Sequence, residues 1–260
     1  MASSPALPQP ANTAPHHALQ TKGRVAAPGP SSSVARYGLP RPDLALLRRA
    51  EQLPNLGILT PQLMHVFLGI TGASGAPYAA RLLQGFAAAG AEVGVCASAS
   101  AGEVIAWEVY RDKTIPPLEA VERFVAEYGG EGATLYGERD WFAPYASGSA
   151  KVDAYVICPC SMATCGTIAS SSQANLIHRA ASVALKERRT LVLVPREMPL
   201  SVLHLRALTT LTEAGALVAP AMPAFYTHPT SVEEMVDFVA GRVLDLCGID
   251  HALLQRWGSA

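Results

Sequence analysis

Two short segments carry residue types suited to binding an anion, and each follows an apolar run. The first is Gly69-Ile-Thr-Gly72-Ala-Ser74-Gly75-Ala. Three glycines between a strand and a helix let backbone amides close on a negative group at a helix N-terminus; a tight turn with no ligand would use the same residues. The spacing is G-x-x-G-x-x-G, which is neither the dinucleotide pattern nor a P-loop. The next apolar run ends in Cys96-Ala97-Ser98, where a dinucleotide site would carry an acid for the ribose. A mononucleotide phosphate therefore fits better than NAD. The second segment, Cys158-Pro-Cys160-Ser161-Met-Ala-Thr164, offers hydroxyls and thiols to a ligand or simply buries inert cysteines. As a metal site it is poor, because C-x-C followed by Cys165 lacks C-x2-C pairs and no histidine stands at ligand spacing.

Cations complete the set. Arg179 and Lys186 lie seven apart on one predicted helix and so share a face, while Arg196 and Glu197 directly follow an apolar run. Arg242 interrupts the apolar stripe Val232, Met235, Val239, Leu246, where an unpaired guanidinium is costly to bury. These charges call for an anionic partner, although each alone is also compatible with a solvated face or a structural ion pair. His178 and His204 read as ordinary helix residues. Ser74 is in no G-x-S-x-G elbow, and no Asp-Asp-x-x-Asp cluster is present to hold magnesium on a diphosphate.

The elements that position these residues begin at His65, where apolar runs alternate with helical patterns, the sign of βαβ units and a parallel sheet. Strands are expected at Val66–Ile70, Glu92–Ala97, Ala154–Cys158, Leu191–Val194 and Ala216–Ala219, the continuous apolar ones being covered on both faces. Helices are expected at Pro77–Ala89, near Ala174–Arg188 and Leu200–Ala214, and at Ser231–Leu246, the last opened by a capping box of Ser231 and Glu234. Residues 111–150 are less regular, with room for another helix and a long loop. In an open parallel sheet ligands sit at the carboxyl ends of the strands, where the two segments and Arg196 fall.

The 260-residue chain is 50% hydrophobic and 16% charged with a net charge of −1, which argues against a nucleic-acid surface spread over the whole protein. No run approaches the roughly 18 apolar residues of a membrane span. Five cysteines suggest free thiols in a reducing compartment. Residues 1–60 form an Ala/Pro/Ser-rich leader with no acid before Asp43, expected to be disordered apart from a short helix at Asp43–Gln52. Its basic residues also resemble an organellar transit peptide, but prolines break the amphipathic pattern such peptides carry, so cytoplasmic localisation is expected, with a mitochondrial one as the alternative.

Taken together, five segments resemble the UbiX family of flavin prenyltransferases across Val66 to Trp257: Gly69–Ala76, Cys158–Thr164, Leu185–Arg189, Val194–Leu200 and Pro220–Tyr226. The resemblance implies a Rossmann-like, flavodoxin-type α/β fold over residues 61–260 and assembly into a dodecamer. It also implies a metal-independent reaction that joins a dimethylallyl group, supplied as dimethylallyl phosphate, to N5 and C6 of reduced FMN. The prenylated FMN would serve UbiD-type decarboxylases. By the same resemblance, Gly72, Ala73, Ser74, Ser98, Ser161, Met162, Ala163, Thr164 and Arg196 would contact FMN. Arg179, Lys186, Tyr226 and Arg242 would hold the prenyl phosphate, Trp141 and Trp257 would flank the prenyl group, and Glu197, Ser74 and Glu108 would move protons. A related FMN-dependent decarboxylase acting on cysteinyl thiols, or a flavin carrier without turnover, is the alternative.

Overall fold

A computed structural model describes residues 63–254. The leader, its short helix and Trp257 lie outside the described residues. Six parallel strands form one sheet in the order β3-β2-β1-β4-β5-β6: β1 (His65–Ile70), β2 (Glu92–Ala97), β3 (Ala133–Tyr136), β4 (Ala154–Cys160), β5 (Thr190–Pro195) and β6 (Leu217–Val218). Every residue of β4 is buried, as a strand with helices on both faces requires. The order reverses at β1, whose neighbours are β2 on one side and β4 on the other. That junction is where a doubly wound sheet opens a crevice for ligand.

Helices α1 (Ala76–Ala88), α2 (Ala99–Glu108), α3 (Pro117–Tyr128) and α7 (Val232–Leu246) pack on one face, against Val66, Leu68, Val93 and Val156. Helices α4 (Met162–Ala169) and α5 (Leu176–Lys186) cover the other, against Phe67, Tyr155 and Ile157, and α6 (Val202–Glu213) adds Leu211 to that layer. Side-chain period two thus sorts each strand into both layers.

The sequence expectations hold for the long strands and helices. Three elements differ. Helix α4 begins inside the segment read as a loop, and α2 starts directly after β2; both are short and built of small residues with little periodic contrast. Strand β3 is a four-residue edge strand, too short and too evenly half-buried to show alternation. The expected capping box of α7 is shifted by one residue. Ser231 Oγ accepts from Glu234 N at 3.2 Å, but the Glu234 carboxylate accepts from Thr230 N at 2.7 Å rather than from Ser231. A complete box stands instead on α6, where Ser201 Oγ accepts from His204 N and His204 Nδ1 accepts from Ser201 N, so His204 is a capping residue.

At Gly94 in β2 the Tyr145 ring lies so close to the backbone that a Cβ there would collide with Tyr145 Cε2. Tyr145 is itself wedged between Phe67 and Tyr136, with ring centroids 5.0 and 5.5 Å away. Gly94→Ala should therefore lower stability by about 1–3 kcal/mol through overpacking. A thermal melt reads this, and an unchanged Tm would contradict the close approach of the ring.

Candidate active site

The β1–α1 and β4–α4 loops are joined by one buried side chain. Thr71 Oγ1 donates to Pro159 O at 2.9 Å and accepts from Ser161 N at 2.8 Å, and Thr71 N donates to the same carbonyl at 3.1 Å. Behind this tie two glycines are required by geometry. A Cβ at Gly72 would collide with Ser100 of α2, and Gly75 sits at φ 129°, a conformation few side chains tolerate.

The amides at the start of α1 do meet an anion, but it belongs to the protein. Glu108 Oε2 accepts from Gly75 N at 2.8 Å and from Ala76 N at 2.9 Å. Two of the orphan donors of α1 are thereby satisfied and its positive end is neutralised. The amides of Gly75 and Ala76 are thus engaged within the chain.

The free helix end is that of α4. Ser161 caps it, its Oγ accepting from Thr164 N at 3.2 Å and lying 3.0 Å from Thr164 Oγ1. Among the described residues, Met162 N and Ala163 N have no hydrogen-bond acceptor. The Met162 side chain is buried in the core while Ala163 is exposed, so what this turn presents outward is backbone. Its cysteines are packing groups: burial pushes the Cys158 thiol well up, and Cys160 and Cys165 face each other at 3.4 Å. Among the described residues no group of three His, Cys, Asp or Glu is placed to hold a metal.

Ser74, Glu108 and Arg196 line one cavity of about 420 Å³, together with Tyr78, Trp107 and Arg111. Arg196, at the end of β5, donates from Nε to Ser74 O at 3.2 Å. Burial, reinforced by Cys158 and Glu108, pushes the Tyr78 phenol up, so it is a hydrogen-bond donor at neutral pH. Tyr78, Trp107 and Arg111 were not anticipated. The available signals were local: Tyr78 follows Pro77 on the first turn of α1, and Trp107 precedes Glu108.

Comparison with known proteins settles the family. A family model described as Flavoprotein matches residues 60–244. The chain is 47% identical over 197 residues to the flavin prenyltransferase UbiX of Pseudomonas aeruginosa, covering 74% of this chain and 93% of that one. It is 43% identical over 196 residues to that of Methanocaldococcus jannaschii, covering 75% and 100%. The chain belongs to the UbiX family of flavin prenyltransferases. Among solved structures, it resembles AnUbiX in complex with FMN and dimethylallyl pyrophosphate, with a TM-score of 0.67, 36% identity and coverage of 76% of this chain and 98% of that one. A dodecameric FMN-dependent UbiX-like decarboxylase from Escherichia coli O157:H7 gives a TM-score of 0.67 and 38% identity, covering 75% and 99%.

In this UbiX-family chain the remaining candidates do not converge on the cavity. Arg179 and Lys186 are on α5, in the opposite layer from α2 and α7. Arg179 donates to Ala146 O at 2.9 Å and to Gln173 Oε1 at 3.0 Å. Lys186 is paired with Glu187 and lines a separate cavity of about 460 Å³ with His178 and Arg188. Ser98 caps α2 through Ala101 N and lines a third cavity, at the ends of β2 and β3. Glu197 is exposed and accepts from Met198 N at 3.1 Å. Tyr226 stacks edge-on to Phe238, 5.8 Å between centroids, and Trp141 is exposed. Arg242 corrects an expectation: it is exposed and paired with Asp245 at 2.6 Å, so its charge is not buried. The buried stripe of α7 is Val239, Ala240, Val243 and Leu244, and Val232 is 69% exposed.

Because Glu108 caps α1, Glu108→Ala should destabilise the fold by about 0.5–2 kcal/mol, the range for losing a helix cap. Chemical denaturation reads the shift in midpoint, and an unaltered midpoint would refute the capping role.

Proposed function

We propose that this chain joins the dimethylallyl group of dimethylallyl phosphate to reduced FMN, giving prenylated FMN. The observation that carries the reading is the pair of helix ends at the β1–β4 crevice, one closed by Glu108 and the other left to a ligand, beside a cavity holding Ser74 and Arg196. The donor set suits a flavin phosphate ester: two unengaged amides at α4, the Ser161 and Thr164 hydroxyls and a guanidinium. Apolar and aromatic walls from Val232, Val236, Tyr78 and Trp107 suit a ring system. Gly72, Ala73 and Ser98 are assigned to the same ligand by family resemblance.

Reduced FMN supplies the nucleophilic N5 and C6 positions when bound. The chain's part is to stabilise what departs. Breaking the allylic C–O bond leaves phosphate with more negative charge, which preorganised Arg and Lys stabilise without a metal. Arg179, Lys186, Tyr226 and Arg242 take that role. Aromatic faces stabilise the cationic allyl fragment, a role for Trp141 and Trp257. Glu197 moves a proton during ring closure, and Ser74 with Glu108, whose second oxygen is not used in capping α1, relays protons from the other side.

Lys186 and the cavity beside α2 belong to separate pockets of one copy, so the reaction requires copies of the chain to supply each other's residues. The dodecameric relative supports such an assembly. So do exposed apolar side chains near Glu197 and Tyr226: Met198 at 86%, Leu203 at 68% and Phe225 at 69%. A UbiD-type decarboxylase is the recipient of the product. The cytoplasm is the compartment this reading favours, given the bacterial and archaeal relatives. Among the described residues no helix is long and apolar enough to cross a membrane.

Anaerobic incubation with reduced FMN and dimethylallyl phosphate, without added metal, should release a flavin heavier by one isoprenyl unit over many turnovers. Recovery of unmodified FMN would sink the transferase reading and favour a thiol-directed decarboxylase or a carrier. Glu197→Gln should keep FMN affinity within about two-fold while slowing transfer by about 10²-fold or more, the usual contribution of a general acid or base; full activity would remove Glu197 from the chemistry. Arg242→Ala should raise KM for the prenyl phosphate far more than the Kd for FMN, and equal weakening of both would refute its assignment.

A further inference from the structure

Arg111 has no role in the reaction as described, yet it stands in the same cavity as Ser74, Glu108 and Arg196. It also lines a second cavity, of about 530 Å³ between α1 and α7, which shares Pro77, Val232 and Val236 with the first. The charges lining the first cavity do not cancel, whereas those lining the second do. In the first, two guanidiniums face one carboxylate, and one oxygen of that carboxylate already accepts two amides. In the second, Arg81 and Asp237 satisfy each other through two hydrogen bonds of 2.5 and 3.1 Å, and Glu233 forms no ion pair with Arg111. Among the described residues the Arg111 guanidinium has neither a hydrogen bond nor an ion pair. Arg139, Arg188 and Arg206 also lack a side-chain partner among the described residues; what sets Arg111, itself exposed, apart is its place in one cavity with Arg196 and Glu108. Arg111 also occupies a left-handed backbone position, φ 58°, that glycine would adopt without strain.

We propose that Arg111 is a phosphate-binding residue of this site, taking a phosphate ester through the two-pronged face of its guanidinium. The inference rests on the flavin prenyltransferase reading for the identity of the ester, which is carried by either FMN or the prenyl donor. Arg111 and Arg196 then both line the cavity and give it two positive groups.

The backbone geometry selects the variant. Arg111→Gly removes the guanidinium and leaves a residue at ease with a positive φ, whereas Arg111→Lys keeps the charge and loses the fork. The full-length protein would be titrated with FMN against riboflavin, and with dimethylallyl phosphate against dimethylallyl alcohol. Each pair differs only by the phosphate. Arg111→Gly should weaken one phosphorylated ligand by about ten-fold, the worth of one charged hydrogen bond. Its unphosphorylated partner should move less than two-fold, and Arg111→Lys should fall between. Loss confined to FMN assigns the flavin phosphate, and loss confined to the prenyl phosphate assigns the donor. All ligands staying within two-fold of wild type would overturn the proposal, as would equal weakening of phosphorylated and unphosphorylated ligands. These are binding measurements. A wild-type protein that binds both esters but forms no prenylated flavin would refute the functional reading and still leave Arg111 tested.

Discussion

The site depends on a single hydroxyl. Thr71, one residue beyond β1, is hydrogen-bonded to both Pro159 and Ser161 at the end of β4, and it is almost wholly buried. In a parallel sheet neighbouring strands end on the same edge, but nothing in the ladder itself fixes how the loops leave it. The Thr71 bonds set that exit. Gly75 then starts α1 within reach of Glu108, and Ser161 becomes the cap of α4. Inside the protein these bonds are not exchanged with water, so the two helix starts hold their separation when a ligand arrives.

Two helix N-termini therefore meet at one crevice with different fates. The amides of α1 are spent on Glu108, whose charge opposes the positive end of that helix. The first turn of α4 keeps two amides unengaged within the described residues. This asymmetry leaves the α4 amides able to meet an anion while those of α1 are already engaged. The guanidiniums of Arg196 and Arg111 line the cavity that Glu108 also lines, so positive groups stand beside the engaged end of α1.

Much of this was legible in the sequence. Val66–Ile70 and Leu191–Val194 announce themselves because strands buried on both faces need continuous apolar residues. The glycine segment, Ser161, Thr164 and Arg196 stand at strand ends, where a doubly wound sheet places its ligands. The engagement of α1 was hidden because its partner, Glu108, is 33 residues from Gly75 and at the far end of another helix. The start of α4 was hidden because Met162-Ala-Thr-Cys-Gly-Thr-Ile-Ala offers small residues with no clear apolar face. Arg242 misled for a geometric reason: its helix turns a different stripe to the core, leaving the guanidinium to Asp245 and solvent.

The fold also imposes a separation. Arg179 and Lys186 stand on α5, and Lys186 lines a cavity separate from the one that holds Glu108 and Arg196. An active site that uses both sets is assembled between copies of the chain, and this is the claim on which the functional account stands. Co-expression of two variants, Lys186→Ala and Glu108→Gln, one from each set and each expected to be impaired alone, tests it most directly. If copies share sites, mixed assemblies contain some sites with neither lesion, and prenylated FMN formation should reappear in the purified hetero-oligomer. Hetero-oligomers that form but remain as inactive as the single variants would contradict the account.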